Sequence, residues 1–160
     1  MPDSFMLLER LVGFPTVSRD SNMDLIGFVR GLLQEVGVEP RLVANADGSK
    51  ANLFATIGPA NQRGVILSGH TDVVPVDGQA WSSHPFILRE TGGRLYARGA
   101  ADMKGFLACA LRAALVAAET PLARPLHVAF SYDEEVGCLG VRDMLPIVST
   151  VAPPLCCIVG

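Results

Sequence analysis

The sequence predicts an α/β fold, a sheet covered by helices on both faces, because two kinds of apolar pattern alternate along it. Apolar residues at steps of three and four mark helices, and short apolar runs without polar alternation mark strands buried on both sides. The order reads helix, helix, strands, helix, strand, helix, strand, which suits stacked layers. With 160 residues, 49% of them apolar and 18% charged, the chain is long enough for one domain with its own core.

Phe5 to Val12 and Leu25 to Val36 carry the helical spacing; Ser21 or Asn22 can cap the second, and Gly37 stops it. Glu39 to Ala44 and Asn52 to Ile57 read as short strands around a turn at Asp47-Gly48. Val65 to His70 is a buried strand. A polar loop follows, then a hairpin of Phe86 to Glu90 and Arg94 to Ala97 about Gly92-Gly93. Met103 to Ala118 is the clearest helix, with one stripe from Met103 through Phe106, Leu107, Ala110 and Leu111 to Ala118. Leu126 to Ser131 is a strand, Gly140 to Leu145 a short helix ending before Pro146, and Leu155 to Val159 a final buried strand.

A net charge of −3 offers no basic footprint for nucleic acid or an anionic membrane. The longest apolar stretch, Phe106 to Ala118, is broken by Arg112 and falls short of the ~20 residues a bilayer span needs. The start Met1-Pro2-Asp3-Ser4-Phe5 lacks the features of a signal peptide. Cys109, Cys138, Cys156 and Cys157 form no C-x-x-C pair and read as reduced core thiols, so the cytoplasm is the expected location.

Polar clusters sit where strands end or helices begin, the places where α/β proteins gather groups around a ligand. His70 and Asp72 lie two apart on an extended backbone, so Asp72 can accept from one ring nitrogen while the other meets a metal. Equally, the pair can be an ordinary polar strand end. Asp102 opens the strongest helix, where an aspartate commonly caps; the same carboxylate can bridge two cations. Asp133-Glu134-Glu135 is either a solvated acidic loop or a pair of working carboxylates, one ligating and one moving a proton. His84 reads as a surface residue and His127 as a strand-face histidine with a local partner.

Taken together, three segments form a recognisable series: Ser68-Gly69-His70-Thr71-Asp72-Val73-Val74-Pro75, Gly99-Ala100-Ala101-Asp102-Met103-Lys104-Gly105, and Asp133-Glu134-Glu135-Val136-Gly137. In that order they resemble the two-zinc aminoacylase and carboxypeptidase family, which includes acetylornithine deacetylases, succinyl-diaminopimelate desuccinylases and glutamate carboxypeptidases. The stretches from Trp81 to Phe86, Arg94 to Tyr96 and Ser131 to Gly140 look most like the acetylornithine deacetylases. The resemblance implies a zinc-peptidase-like, three-layer α/β/α sandwich around a mostly parallel mixed sheet. It implies that His70 binds one metal, Asp102 bridges both, Glu135 binds the second, Glu134 is general base and acid, and Asp72 orients His70. It also implies a cis peptide between Asp102 and Met103.

By the same resemblance the cofactors are two divalent ions, zinc first and cobalt as an alternative. The substrate is a small acyl-amino acid: N-acetyl-L-ornithine, hydrolysed to ornithine and acetate in arginine biosynthesis, with desuccinylation or another acyl-amino-acid or dipeptide cleavage as the other reading. Residues 1–160 are then expected to be the N-terminal part of a truncated catalytic domain, its dimerisation or lid domain and its C-terminal part absent. The whole parent is expected to be a homodimer. Each metal would lack one protein ligand, so the isolated chain is expected to bind zinc weakly and to be inactive. A truncated fold without catalysis is the reading from a different class.

Overall fold

In the computed structural model, which describes residues Met1–Gly160, the apolar runs pair into a five-stranded sheet. Its strands are β1 (Arg41–Ala44), β2 (Ala51–Ile57), β3 (Val65–His70), β6 (Leu126–Ser131) and β7 (Cys156–Val159), in the order β1-β2-β6-β3-β7. Only β2 opposes the rest: it is antiparallel to β1 and β6, while β3 is parallel to β6 and β7. The remaining strands, β4 (Arg89–Thr91) and β5 (Arg94–Tyr96), form the expected hairpin outside the sheet. This is the mostly parallel mixed sheet that the sequence led one to expect.

Alternate residues of the central strands face opposite layers. Leu53, Ala55 and Ile57 of β2 and Val128 and Phe130 of β6 join the large core, with α1 (Ser4–Val12), α2 (Met23–Glu35) and α3 (Gly105–Ala118) on that side. Phe54, Ala129 and Ile66 point the other way, onto Met144 of α4 (Leu139–Val148). The chain leaves the carboxyl end of β3, passes through α3 on one face, returns as β6, and passes through α4 on the other face to reach β7. The two crossings diverge from β3 and β6, and a crevice opens at such a switch point.

Four expectations need correction. The helix expected from Met103 begins at Gly105, because Asp102 and Met103 adopt non-helical backbone angles. α4 does not stop before Pro146 but carries it in its last turn. There the lost hydrogen bond falls to the carbonyl of Arg142, an exposed residue whose carbonyl can turn to water. β7, expected to be buried, is exposed at all four residues, being an edge strand with little packed over either face. The four cysteines are free, as expected, yet none is in the core: Cys109 lies on the outer side of α3, Cys138 in a loop, and Cys156 and Cys157 on that edge strand.

At the start of α2, Asn22 precedes the helix without capping it. Its side chain donates to the Ala51 carbonyl and to Thr71 Oγ1, each at 2.9 Å, and accepts from Ala51 N–H. Ser21 Oγ instead accepts from Met23 N–H at 3.1 Å. Asn22 thereby fastens β2 to the loop that follows β3.

Candidate metal centre

His70 ends β3 and lies in register with Ser131, the end of β6. Beyond them the two chains leave the sheet side by side. Thr71 staples them, its N–H and Oγ1 both donating to the Ser131 carbonyl at 2.8 and 2.9 Å. His70 is only 5% exposed. Its Nδ1 donates to the backbone carbonyl of Asp72 at 2.9 Å, whereas the Asp72 carboxylate is 3.5 Å away. The carboxylate contact read from the spacing is therefore the weaker of the two, since the chain turns after Thr71 and swings its own carbonyl under the ring. A carbonyl can only accept, so Nδ1 holds a hydrogen and Nε2 is the atom presented to the crevice.

Nε2 lies 3.0 Å from Asp102 Oδ1 and 3.7 Å from Glu134 Oε2. Burial alone would lower the imidazole's pKa, but hydrogen bonds and charge from Asp72, with a further bond from Asp102, outweigh it and raise it to about 9.

Asp102 reaches this position from the turn Ala100–Lys104, not from a helix cap. Its backbone is extended, its peptide bond to Met103 is cis, and its carboxylate is 76% exposed. Close packing fixes the turn. At Gly99, where φ is +79°, an added Cβ would lie 2.7 Å from Val73 Cγ1. At Gly69 one would lie 2.7 Å from both Met103 Cε and Leu107 Cδ2. Met103 Sδ accepts from His70 N–H at 3.2 Å, tying the turn to the end of β3. Beneath it the buried Lys104 ammonium donates to the Phe14 carbonyl at 2.6 Å, and burial lowers its pKa to about 7 against the pull of Asp72.

The three consecutive acids part company. Asp133, with φ of +55°, turns its carboxylate to Lys50 at 2.6 Å and takes no place in the cluster. The N–H groups of Glu134 and Glu135 donate to the Asp72 carboxylate at 3.0 and 3.2 Å, and Ser18 Oγ donates to it at 2.6 Å. Burial disfavours the Asp72 charge, but bonds from His70, Ser18 and Glu134 N–H more than offset this and hold its pKa below the usual carboxylate value. Glu135 turns inward, and one ligand atom each from His70, Asp102 and Glu135 fall within 4.8 Å of one another. Burial first, then the charges of Asp102, Asp72 and Glu134, raise the Glu135 pKa, with His70 opposing.

One buried imidazole surrounded by Asp72, Asp102, Glu134 and Glu135 leaves a surplus of negative charge converging on a small space. A nitrogen with several carboxylate oxygens is a donor set that divalent cations of the zinc, cobalt and manganese group accept. The residues therefore fit such an ion. The cluster opens onto a cavity of about 290 Å³ lined in part by Ser68, Ser131, Glu134, Cys138 and Val141.

The other histidines stand apart. His84 is exposed, and His127 is buried against Phe54 with Nδ1 2.9 Å from Thr56 Oγ1. Sequence reasoning missed Ser18, Lys50 and Asn52. Asn52 is wholly buried, donates to the Gly140 carbonyl at 2.7 Å and accepts from Tyr132 N–H at 3.2 Å. No local pattern singles out Ser18 or Lys50. A lone asparagine between apolar strand residues was the one available signal.

Residues 66–159, more than half of the chain and including every residue of the cluster, match the family model described as Peptidase family M20/M25/M40. Solved structures with the same fold include human carnosine dipeptidase 1, at 22% identity and a TM-score of 0.80 over 98% of this chain and 38% of that one. The M20 family metallo-carboxypeptidase Sso-CP2 from Sulfolobus solfataricus superposes at 22% identity and a TM-score of 0.82, over 99% of this chain and 37% of that one. The dipeptidase Dug1p from Saccharomyces cerevisiae does so at 20% and 0.75, over 98% of this chain and 38% of that one. The chain thus spans under two-fifths of the length of each of these structures. With its motif series, its sheet and its family match in agreement, the chain belongs to Peptidase family M20/M25/M40.

Proposed function

We propose that this chain is the metal-binding part of a hydrolase that cleaves the amide bond of N-acetyl-L-ornithine, giving ornithine and acetate. The observation that carries the reading is the convergence of His70, Asp102 and Glu135 ligand atoms within 4.8 Å, with Glu134 Oε2 3.7 Å from His70 Nε2. His70 and Asp102 would hold one divalent cation, and Asp102 and Glu135 a second. A catalytic zinc normally takes three protein ligands, so each would need a further one from outside these 160 residues. Bound there, the cations would supply Lewis acidity, making water nucleophilic near neutral pH and polarising a carbonyl oxygen.

The chain's own residues do the rest. Glu134 stands at the cavity wall with its side chain 44% exposed, free to take a proton from the attacking water and return it to the leaving amine. Asp72 holds the Glu134 and Glu135 amides, and its carbonyl fixes the ring of His70. The choice of N-acetyl-L-ornithine rests on the stretches around Trp81, Tyr96 and Ser131 to Gly140, which resemble the acetylornithine deacetylases.

A second reading, cleavage of dipeptides, is favoured by the fold shared with human carnosine dipeptidase 1 and Dug1p. A panel of N-acetyl-L-ornithine, N-succinyl-diaminopimelate and dipeptides, run on the whole enzyme with zinc, cobalt or manganese, separates the two. Acetate release from N-acetyl-L-ornithine at the highest kcat/KM is expected. Preference for a dipeptide would replace the first reading with the second, and turnover of none would overturn both.

A further inference from the structure

Asp72 supports the two glutamates from one side; the other side rests on a residue far from the site motifs. Lys50 lies at the end of the β1–β2 turn, anchored by its N–H donating to Asn45 Oδ1 at 3.0 Å. Its ammonium donates to Asp133 Oδ1 at 2.6 Å and to the Ser18 carbonyl. Both side chains are nearly covered, 13% exposed for Lys50 and 14% for Asp133. Ser18 in turn gives its hydroxyl to Asp72, and Asp72 accepts the amides of Glu134 and Glu135. The contacts close a ring: Lys50, Asp133, the Glu134-Glu135 backbone, Asp72, Ser18 and back to Lys50.

We propose that Lys50 is a positioning residue for the Glu134-Glu135 segment, acting through Asp133 and Ser18. Asp133 holds a positive φ that few residues other than glycine adopt, aspartate among them. Its carbonyl also accepts from Leu139 N–H at 3.0 Å, so the same residue sets the start of α4. Three consecutive carboxylates repel one another. Lys50 binds the first, removes it from the cluster, and leaves Glu134 and Glu135 facing His70. Without the ammonium, the Asp133 carboxylate would be nearly buried, negative and without a partner. It would turn towards water and release the left-handed turn. The catalytic consequence rests on the proposed hydrolase reading, whereas the structural consequence does not.

The test is amide hydrogen exchange by NMR on the metal-free chain and on Lys50→Met, Asp133→Asn and the double variant. Asparagine tolerates the same positive φ, so Asp133→Asn keeps the question open should Lys50→Met fold poorly. Protection at the Glu134 and Glu135 amides should fall about tenfold or more in each single variant, while Val128 and Phe130 in β6 stay within about twofold. The double variant should lose no more than the worse single one, because both break one interaction. Unchanged protection at Glu134 and Glu135, an equal loss throughout β6, or additive losses would each overturn the proposal. Calorimetric titration of the whole enzyme and the same three variants with cobalt(II) gives the second arm, with affinity expected to fall about tenfold in parallel with the lost protection. If the unaltered whole enzyme binds no cobalt, the hydrolase reading fails and the exchange result stands on its own.

Discussion

Asp72 and Asp102 belong to one cluster and are built in opposite ways. The side chain of Asp72 is 4% exposed, and its carboxylate takes bonds from Ser18 and from two backbone amides, with His70 Nδ1 3.5 Å away. That of Asp102 is 76% exposed and has His70 Nε2 as its one close partner. A carboxylate with filled lone pairs has nothing left for a cation, and serves by holding other groups still. One with open lone pairs facing a crevice serves by binding. The same residue type, thirty positions apart, is thus structural support in one place and, on the proposed reading, a ligand in the other.

That contrast can be broken most sharply by substituting each aspartate in turn. Asp72→Ala strips the acceptor from Ser18 and two half-buried amides and leaves His70 beside an empty space. A loss of about 3–5 kcal/mol in urea unfolding is expected, the scale for breaking a buried charged network. Asp102→Asn should shift stability by no more than about 0.5 kcal/mol, as surface changes do, yet abolish cation binding. Equal stability losses in the two variants would erase the distinction. Next in size is Glu134→Ala in the whole enzyme, which should retain cation content and lose about 10²–10⁴-fold in kcat. Retained turnover would remove Glu134 from proton transfer.

The imidazole between the two aspartates gives a pH test. Its pKa is raised from 6.5 to about 9 in the metal-free fold. It therefore contributes stability that is fully present below about pH 6.5 and is lost as pH rises through about 9. For the same reason, a cation binding at pH 7.5 must expel about one proton from His70. Calorimetry in buffers of different ionisation enthalpy reads that number, and zero release would mean that Nε2 is not a ligand. The smallest effect is expected at Cys109→Ser, within about 0.5 kcal/mol of the parent, since that thiol lies on the solvent side of α3. A large loss there would restore the core assignment expected from the sequence.

Much of this was legible in the chain. The helices and the buried strands show in apolar spacing because packing against a sheet demands it. His70 and Glu135 stand out as polar residues that follow apolar strand runs, and Asp102 as the acid that precedes the apolar stripe of α3. What was not legible is long-range. Ser18 meets Asp72 across 54 positions and Lys50 meets Asp133 across 83, and nothing local marks either residue. Asp102 was ambiguous because a capping aspartate and a ligand aspartate look alike before a helix, and only the backbone angles separate them. The burial of β7 was misjudged for a related reason: an apolar run reports what a strand can pack against, not whether it lies at the edge of the sheet.

The most direct test is a crystal structure of the whole enzyme with zinc, located by anomalous scattering. One peak is expected at about 2.0–2.2 Å from His70 Nε2 and an Asp102 oxygen, and another at a similar distance from Asp102 and Glu135, the span of zinc bonds to nitrogen and oxygen. Glu134 should coordinate neither. Zinc bound at Glu134, or a site that leaves Asp102 free, would contradict the division between supporting and binding carboxylates.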